Sequence, residues 1–311
     1  MQSKKNSPIT EKEIFAKCKT VAKRLHSTDP KKWPYYETLA EQILDHLGEV
    51  VYKIDSKDML YLSEKAVKLF DKYAPDNVDS LISAMEVLAA SYRDLAFTDK
   101  AEEALKRRIE LVSTKLEGFK KARQLAFCYE MYAGIDTDNR DSWREKSLEA
   151  SLEASKEKYR GKSYTQNLQD IGRLYGSGFK HDMKKAVEYL EKALDLAQKR
   201  HQKTLIASIA ADLGKIQLSQ GNIDEAEKCQ ELALEYVDYE SDHFVSTAEI
   251  CSFIGILFIP RGQYEDAWMW LNAARTRFKM ANTNGGYGSD VEEIDHYMKQ
   301  IKEEHKILPK Q

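Results

Sequence analysis

The sequence predicts an all-α protein, a right-handed solenoid of about six helix hairpins with a capping helix at each end. Gly and Pro are scarce, at 14 and 6 of 311 residues, so turns are few and helices are long. The alternation of Val, Ile and Thr with polar residues that is typical of β-strands is missing. Small residues recur instead with a period near 40 residues, the spacing expected of repeated helix pairs.

The repeat is marked by a small residue inside one helix and an alanine inside the next. In three segments the two residues are 12 apart, and in a fourth the turn between them is two residues longer. Weaker fifth and sixth units begin near Gly48 and Cys128. The four clear pairs are Ala89 with Ala101, Gly172 with Ala186, Gly214 with Ala226 and Gly255 with Ala267.

A second series of small residues lies seven positions after the first alanine. Its intervals are 42, 46, 39, 40 and 41 residues, and five of its six members are alanine. A residue with little or no side chain lets two helices cross closely, so the two series predict hairpins that stack on one another. The members are Ala66, Arg108, Ala154, Ala193, Ala233 and Ala274.

The chain is predicted to be one solenoid domain over residues 11–306, preceded by a disordered polar tail over 1–10. A capping box of Thr10 and Glu13 starts a first capping helix over 11–26, and a second capping helix covers 290–306. No linker is long enough to divide the domain. The hairpins are predicted at 35–73, 77–115, 119–157, 164–199, 202–238 and 243–280.

The pattern resembles the tetratricopeptide repeat (TPR) over about residues 34–280. Leu213-Gly214 matches the Leu-Gly of that family's first helix, and Ala226 and Ala233 match the two alanines of its second helix. The family's early Trp is absent, and its closing Pro is absent from most units. The period near 40 is similar to that of the long-repeat subgroup of LGN-type, kinesin light chain, Tonsoku-like and SNAP adaptors.

The resemblance implies a concave groove lined by the first helix of each hairpin. Side chains three before, one after and four after the central small residue would face it. The groove is then acidic at its N-terminal end, aromatic and basic in the middle, and apolar at its C-terminal end. Such a gradient favours a peptide with an acidic portion near Arg93, Arg173 and Lys215 and an apolar portion near Ile256. The candidate groove residues are Asp45, Glu49, Tyr52, Glu86, Arg93, Tyr129, Tyr132, Gln169, Arg173, Lys215, Ser252 and Ile256.

Two tryptophans, Trp268 and Trp270, are candidates for a second interaction surface. They lie two residues apart, so they cannot both face one core from the same helix.

Composition and motifs argue against several other classes of protein. The net charge of −3 provides no general attraction for nucleic acid. No catalytic constellation, metal-binding spacing or cofactor motif is present in the sequence, so the prediction is a protein that is not an enzyme and needs no cofactor. The four cysteines are scattered and are predicted to be reduced core thiols. The longest apolar run, Ile250 to Ile259, is half of a membrane span, which predicts a cytoplasmic protein, with the nucleus as an alternative.

The leading functional prediction is a non-catalytic scaffold or adaptor that binds a peptide or helix segment of a partner protein along the concave groove. One alternative is a SNAP-like adaptor in membrane fusion, or a Tonsoku-like adaptor in replication-linked repair, that uses other surfaces. A further alternative is an RNA-binding helical repeat protein, whose binding would weaken steeply with salt.

Overall fold

The computed structural model describes residues 33–50, 56–157, 161–237, 244–281 and 288–305. Within these ranges the chain forms thirteen α-helices and no β-strand, so the predicted all-α solenoid class is confirmed. The predicted tail (1–10) and the first capping helix (11–26) lie outside the described residues. The helices are α1 (Trp33–Val50), α2 (Ser56–Tyr73), α3 (Val78–Asp94), α4 (Thr98–Lys115), α5 (Gly118–Ile135), α6 (Arg140–Lys156), α7 (Lys162–Gly176), α8 (Met183–Lys199), α9 (Lys203–Ser219), α10 (Ile223–Tyr236), α11 (Phe244–Phe258), α12 (Tyr264–Ala281) and α13 (Gly288–His305).

The chain divides into two compact units, an N-terminal unit (Met1–Lys115) and a C-terminal unit (Leu116–Gln311). The N-terminal unit contains α1 to α4, in which each helix packs on the next. The C-terminal unit contains α5 to α13. There, helices pack in successive pairs, and the first helix α9 also packs on the first helices α7 and α11. None of the described helices is long and apolar enough to span a membrane.

Local sequence sets where the helices begin and end. Gly221 and Gly262, in the turns before α10 and α12, have φ angles of +77° and +70°. Glycine adopts this left-handed conformation without the steric cost that a Cβ imposes. The side chains of Asn77 and Asp182 cap α3 and α8 by accepting a hydrogen bond from a backbone N–H in the first turn.

The predicted close crossings are present in the C-terminal unit. A Cβ added at Gly172 would lie 2.6 Å from Cγ of Leu190, and one added at Gly255 would lie 2.8 Å from Cγ of Leu271. Both glycines therefore let the second helix of their own hairpin approach closely. At Gly214 the added Cβ would lie 2.2 Å from Cζ of Phe253, so this glycine makes room for the next first helix, α11.

The second series of small residues is buried as its spacing predicts. Its five alanines are each at most 1% exposed. The sixth member is Arg108, which is also fully buried. Its Nη2 donates a hydrogen bond to Oε2 of Glu86 on α3, at 2.7 Å. A buried guanidinium therefore stands at the position that other hairpins fill with a methyl group.

We expect Gly255→Ala to destabilise the protein because the new methyl group would contact Leu271 side-chain and backbone atoms, the latter at 3.0 Å. Overpacking of this kind lowers the free energy of unfolding by about 1–3 kcal/mol. Gly134→Ala is the matched control because no atom lies within 4 Å of its added Cβ. Alanine favours a helix over glycine by up to about 1 kcal/mol, so the control should be neutral or stabilising. Urea denaturation followed by circular dichroism measures both, and equal stability of the two variants would contradict the close crossing.

The thiols of Cys229 and Cys251 are buried, and burial raises the pKa of each to about 11. Alkylation requires the thiolate, and an ordinary cysteine has a pKa of about 8.5. We therefore expect iodoacetamide at about pH 8 to modify both residues only after the chain is unfolded. Peptide mass spectrometry after timed alkylation measures this, and modification of the folded chain at the rate of a free cysteine would refute it.

Candidate functional site

The candidate site is a surface of the C-terminal unit that we call the first-helix face. It consists of side chains from α5, α7, α9 and α11, together with one edge of α13. Helix α9 packs directly on both α7 and α11. Helix α5 is linked to α7 by an ion pair in which Nη2 of Arg123 lies 2.7 Å from Oδ2 of Asp170.

A polar network that we call the Arg173 bridge joins three of these helices. Nε2 of Gln169 on α7 donates to Oγ of Ser208 (2.8 Å) and to Oδ2 of Asp212 (2.6 Å), both on α9. Nε of Arg173 donates to the same Asp212 oxygen at 2.6 Å. Nη2 of Arg173 donates to Oε2 of Glu249 on α11 at 3.2 Å. One guanidinium thus holds carboxylates from the next two first helices.

The charge of Arg173 is balanced within the protein. Partial removal from water disfavours the charged guanidinium, but Asp212 and Glu249 outweigh this effect and raise the pKa of Arg173 above its ordinary value, and its side chain stays 40% exposed. Arg93, in the N-terminal unit, forms an exposed ion pair with the adjacent Asp94, through Nη2 at 2.8 Å. Each of the two arginines therefore has a carboxylate partner within the protein, and its attraction for an acidic peptide stays a prediction.

A pocket of about 460 Å³ opens on the first-helix face between α9, α11 and α13. We call it the terminal pocket. Its apolar lining comes from Leu218, Phe253, Ile256 and Phe278. Its polar lining comes from Lys215, Ser219, Glu249, Ser252, Asp290, Glu293 and Tyr297.

Helix α13 presents two different edges. Ile294, Met298 and Ile301 are buried in a cluster with side chains of α11 and α12. Asp290, Glu293 and Tyr297 follow one another at spacings of three and four residues, so they form one edge, which lines the terminal pocket.

The pocket shifts the pKa values of two groups on this edge. Burial raises the pKa of the Asp290 carboxyl, and the positive charge of Lys215 opposes that rise. Burial and the charge of Glu293 raise the pKa of the Tyr297 hydroxyl. Partial removal from water is therefore the largest influence on the pKa of Asp290.

The structure places three predicted residues of the C-terminal unit, Lys215, Ser252 and Ile256, in the terminal pocket. Gln169 and Arg173 lie on the same face in the Arg173 bridge.

The predicted groove residues of α5, Tyr129 and Tyr132, lie against the second helix of their own hairpin. Tyr132 is only 3% exposed, and its ring stacks on Trp143 of α6 with centroids 4.4 Å apart. Tyr129 also stacks on Trp143, at 6.1 Å. The residue at the crossing is Ala126, whose carbonyl oxygen accepts a hydrogen bond from Oγ of Ser147 at 2.9 Å.

A crossing at Ala126, rather than Cys128, moves the face-lining positions of α5 two residues towards the N-terminus. They become Arg123, Phe127 and Glu130. The ion pair of Arg123 with Asp170 on α7 agrees with this phase, and the Phe127 side chain is 38% exposed. The pairing of two small residues, Ala126 and Ser147, was the sequence signal that could have identified them.

The predicted groove residues of the N-terminal unit that the structure describes do not form one site. Asp45 is exposed, and Glu86 accepts the hydrogen bond from Arg108. The side chain of Glu49 and all of Tyr52 lie outside the described residues.

The two tryptophans of α12 are both half-buried. Trp268 packs against the cluster formed by α11, α12 and α13. Trp270 packs against this cluster and the neighbouring one, so the expectation that the two rings cannot both face one core is wrong. Met269 between them is the more exposed side chain, at 56%. Their role as a second surface stays a prediction.

The arrangement defines a repeat protein of helix hairpins with a pocket at the C-terminal end of its first-helix face. Among the described residues, no group of three or more His, Cys, Asp or Glu side chains is placed to hold a metal ion. The face offers hydrogen bonds, charge and an apolar pocket, which suit recognition of another molecule.

Comparison with known proteins agrees with this class. Residues 178–238 match the tetratricopeptide repeat, so the predicted resemblance is confirmed. The chain is similar in fold to BtubC (BKLC) from P. vanneervenii, with a TM-score of 0.53 and 15% identity over 74% of this chain and 93% of that one. No curated protein matches the chain significantly in sequence. The long-repeat subgroup stays a prediction.

Two further solved structures are similar over most of their length. A thermophilic TPR protein from Thermus thermophilus has a TM-score of 0.45 and 21% identity over 74% of this chain and 99% of that one. PilF from Pseudomonas aeruginosa has a TM-score of 0.46 and 14% identity over 84% of this chain and 98% of that one.

We expect Asp212→Ala to lower the free energy of unfolding by about 2–3 kcal/mol, because it leaves a buried amide and a guanidinium short of their acceptor. Asp195→Ala is the control, since Asp195 forms an exposed ion pair with Lys199 four residues away on α8. Exposed ion pairs of this kind contribute little to the free energy of unfolding. Thermal and urea unfolding measure both variants, and an equal effect of the two substitutions would show that the Arg173 bridge does not stabilise the unit.

Proposed function

We propose that the chain is a non-catalytic scaffold that binds a peptide segment of a partner protein along the first-helix face of the C-terminal unit. The observation that carries this proposal is the terminal pocket, which opens on that face and is lined by both apolar and polar side chains. Its volume of about 460 Å³ is within the range of about 300–1,000 Å³ that is typical of small-ligand pockets, so it is large enough to admit one long side chain.

The Arg173 bridge supports the proposal by making the face rigid. Its hydrogen bonds fix α7, α9 and α11 relative to one another, so a bound segment meets a surface that is already ordered. Binding to an ordered surface avoids the entropic cost of arranging it. The tetratricopeptide match at residues 178–238 covers α8, α9 and α10 and supports the same class of function.

The test is selection from a displayed library of random peptides on the full chain, followed by fluorescence anisotropy with the enriched peptides. Ser252→Trp places a bulky uncharged ring inside the terminal pocket, since Ser252 lines it. We expect this change to raise the Kd about tenfold or more, as for the loss of an interface anchor.

Asn272→Trp is the matched control because Asn272 is exposed on α12, and it does not line the pocket. It should leave binding unchanged, and both variants should melt like the wild type. Peptides that tolerate Ser252→Trp would place recognition on another surface, as the SNAP-like and Tonsoku-like alternatives require. That result, or a selection that enriches no peptide, would contradict the proposal.

A further inference from the structure

We infer that the terminal pocket holds an arginine side chain of the partner segment, with its aliphatic stem on the apolar lining and its guanidinium against the acidic edge of α13. This inference rests on the proposed function and specifies the chemistry of the partner at one position. It reverses the charge that the sequence alone led us to expect.

The charge of the pocket is the first argument. Three carboxylates line it, from Glu249, Asp290 and Glu293, and one cation, Lys215. Glu249 is already bound to Arg173. The remaining two carboxylates belong to α13 and face a single lysine, so the pocket keeps a net negative charge that favours a cation.

The burial of Asp290 is the second argument. Burial raises the pKa of its carboxyl, which means that the ionised form lacks part of its hydration. An apolar or acidic side chain placed beside it would increase that cost. A cationic side chain would offset it, because a charge pair is stronger where water is excluded.

The apolar lining is the third argument, because it fits the stem of a long cationic side chain. Phe253 is buried, while Ile256 and Tyr297 are partly exposed and can be covered by methylene groups. Long cationic side chains bury their stems on such surfaces and keep the charged end near polar groups.

The arrangement of acceptors favours arginine over lysine. Asp290 and Glu293 lie one turn apart on the same edge of α13, with Tyr297 one turn further along. A guanidinium presents several donors in a plane and stacks on aromatic rings, so it can serve both carboxylates while contacting the tyrosine. An ammonium group is a compact point charge and does not match this extended edge as well.

The test uses the peptides selected on the full chain, each resynthesised with one arginine changed to citrulline, lysine or alanine. Citrulline keeps the shape of arginine and removes its charge. We expect one arginine position at which citrulline raises the Kd about tenfold, with lysine intermediate. Affinity of the arginine peptide should also fall as salt rises.

Protein variants locate the partner of that arginine. Glu293→Gln should raise the Kd of the arginine peptide about three- to tenfold. It should also reduce the ratio of the Kd values of the citrulline and arginine peptides, as expected when two groups interact directly. Glu292→Gln is the matched control, since Glu292 is the adjacent exposed residue of α13 and does not line the pocket. It should change neither value.

The outcomes separate this inference from the proposed function. Peptides that are blocked by Ser252→Trp but bind equally with citrulline would overturn the arginine assignment and leave the scaffold proposal standing. Equal binding of lysine and arginine would overturn the choice of arginine. Equal effects of Glu293→Gln and Glu292→Gln would show that the acidic edge of α13 is not the site.

Discussion

The close crossing of helices at residues without a side chain is the constraint on which the C-terminal unit depends. At Gly172 and Gly255 the second helix of the hairpin occupies the space of a methyl group, and at Gly214 the ring of Phe253 does. These contacts set the distance between helices, and the buried alanines of the second series continue the stacking. The first helices are thereby brought close enough for their polar side chains to meet across the face.

The Arg173 bridge follows from that spacing and determines the character of the face. Arg173 forms ion pairs with carboxylates on both α9 and α11, so its positive charge is used to hold these helices together. The part of the face that is open to a ligand is the terminal pocket beside α13, where Asp290 and Glu293 contribute negative charge next to an apolar lining. The C-terminal end of the face, which the sequence predicted to be apolar, consequently carries a net negative charge where the terminal pocket opens.

The sequence predicted the helix class, the crossings and the position of Arg173 on the face, because these depend on spacing within one repeat. It missed Asp212 and Glu249 because they reach Arg173 from neighbouring repeats, at positions that a single-repeat template does not assign to the groove. It misplaced the lining of α5 because Cys128, like Ala126, is buried, and spacing alone does not distinguish which residue lies at the crossing. The terminal pocket depends on how α13 packs, which no repeat pattern specifies.

The most direct test of a ligand-binding first-helix face is photo-crosslinking of the full chain with a selected peptide that carries a diazirine amino acid beside its anchoring residue. The account predicts crosslinks to α9, α11 and α13, mapped by mass spectrometry to residues 203–219, 244–258 and 288–305. Crosslinks confined to the N-terminal unit, or to the second helices α8 and α10, would contradict it.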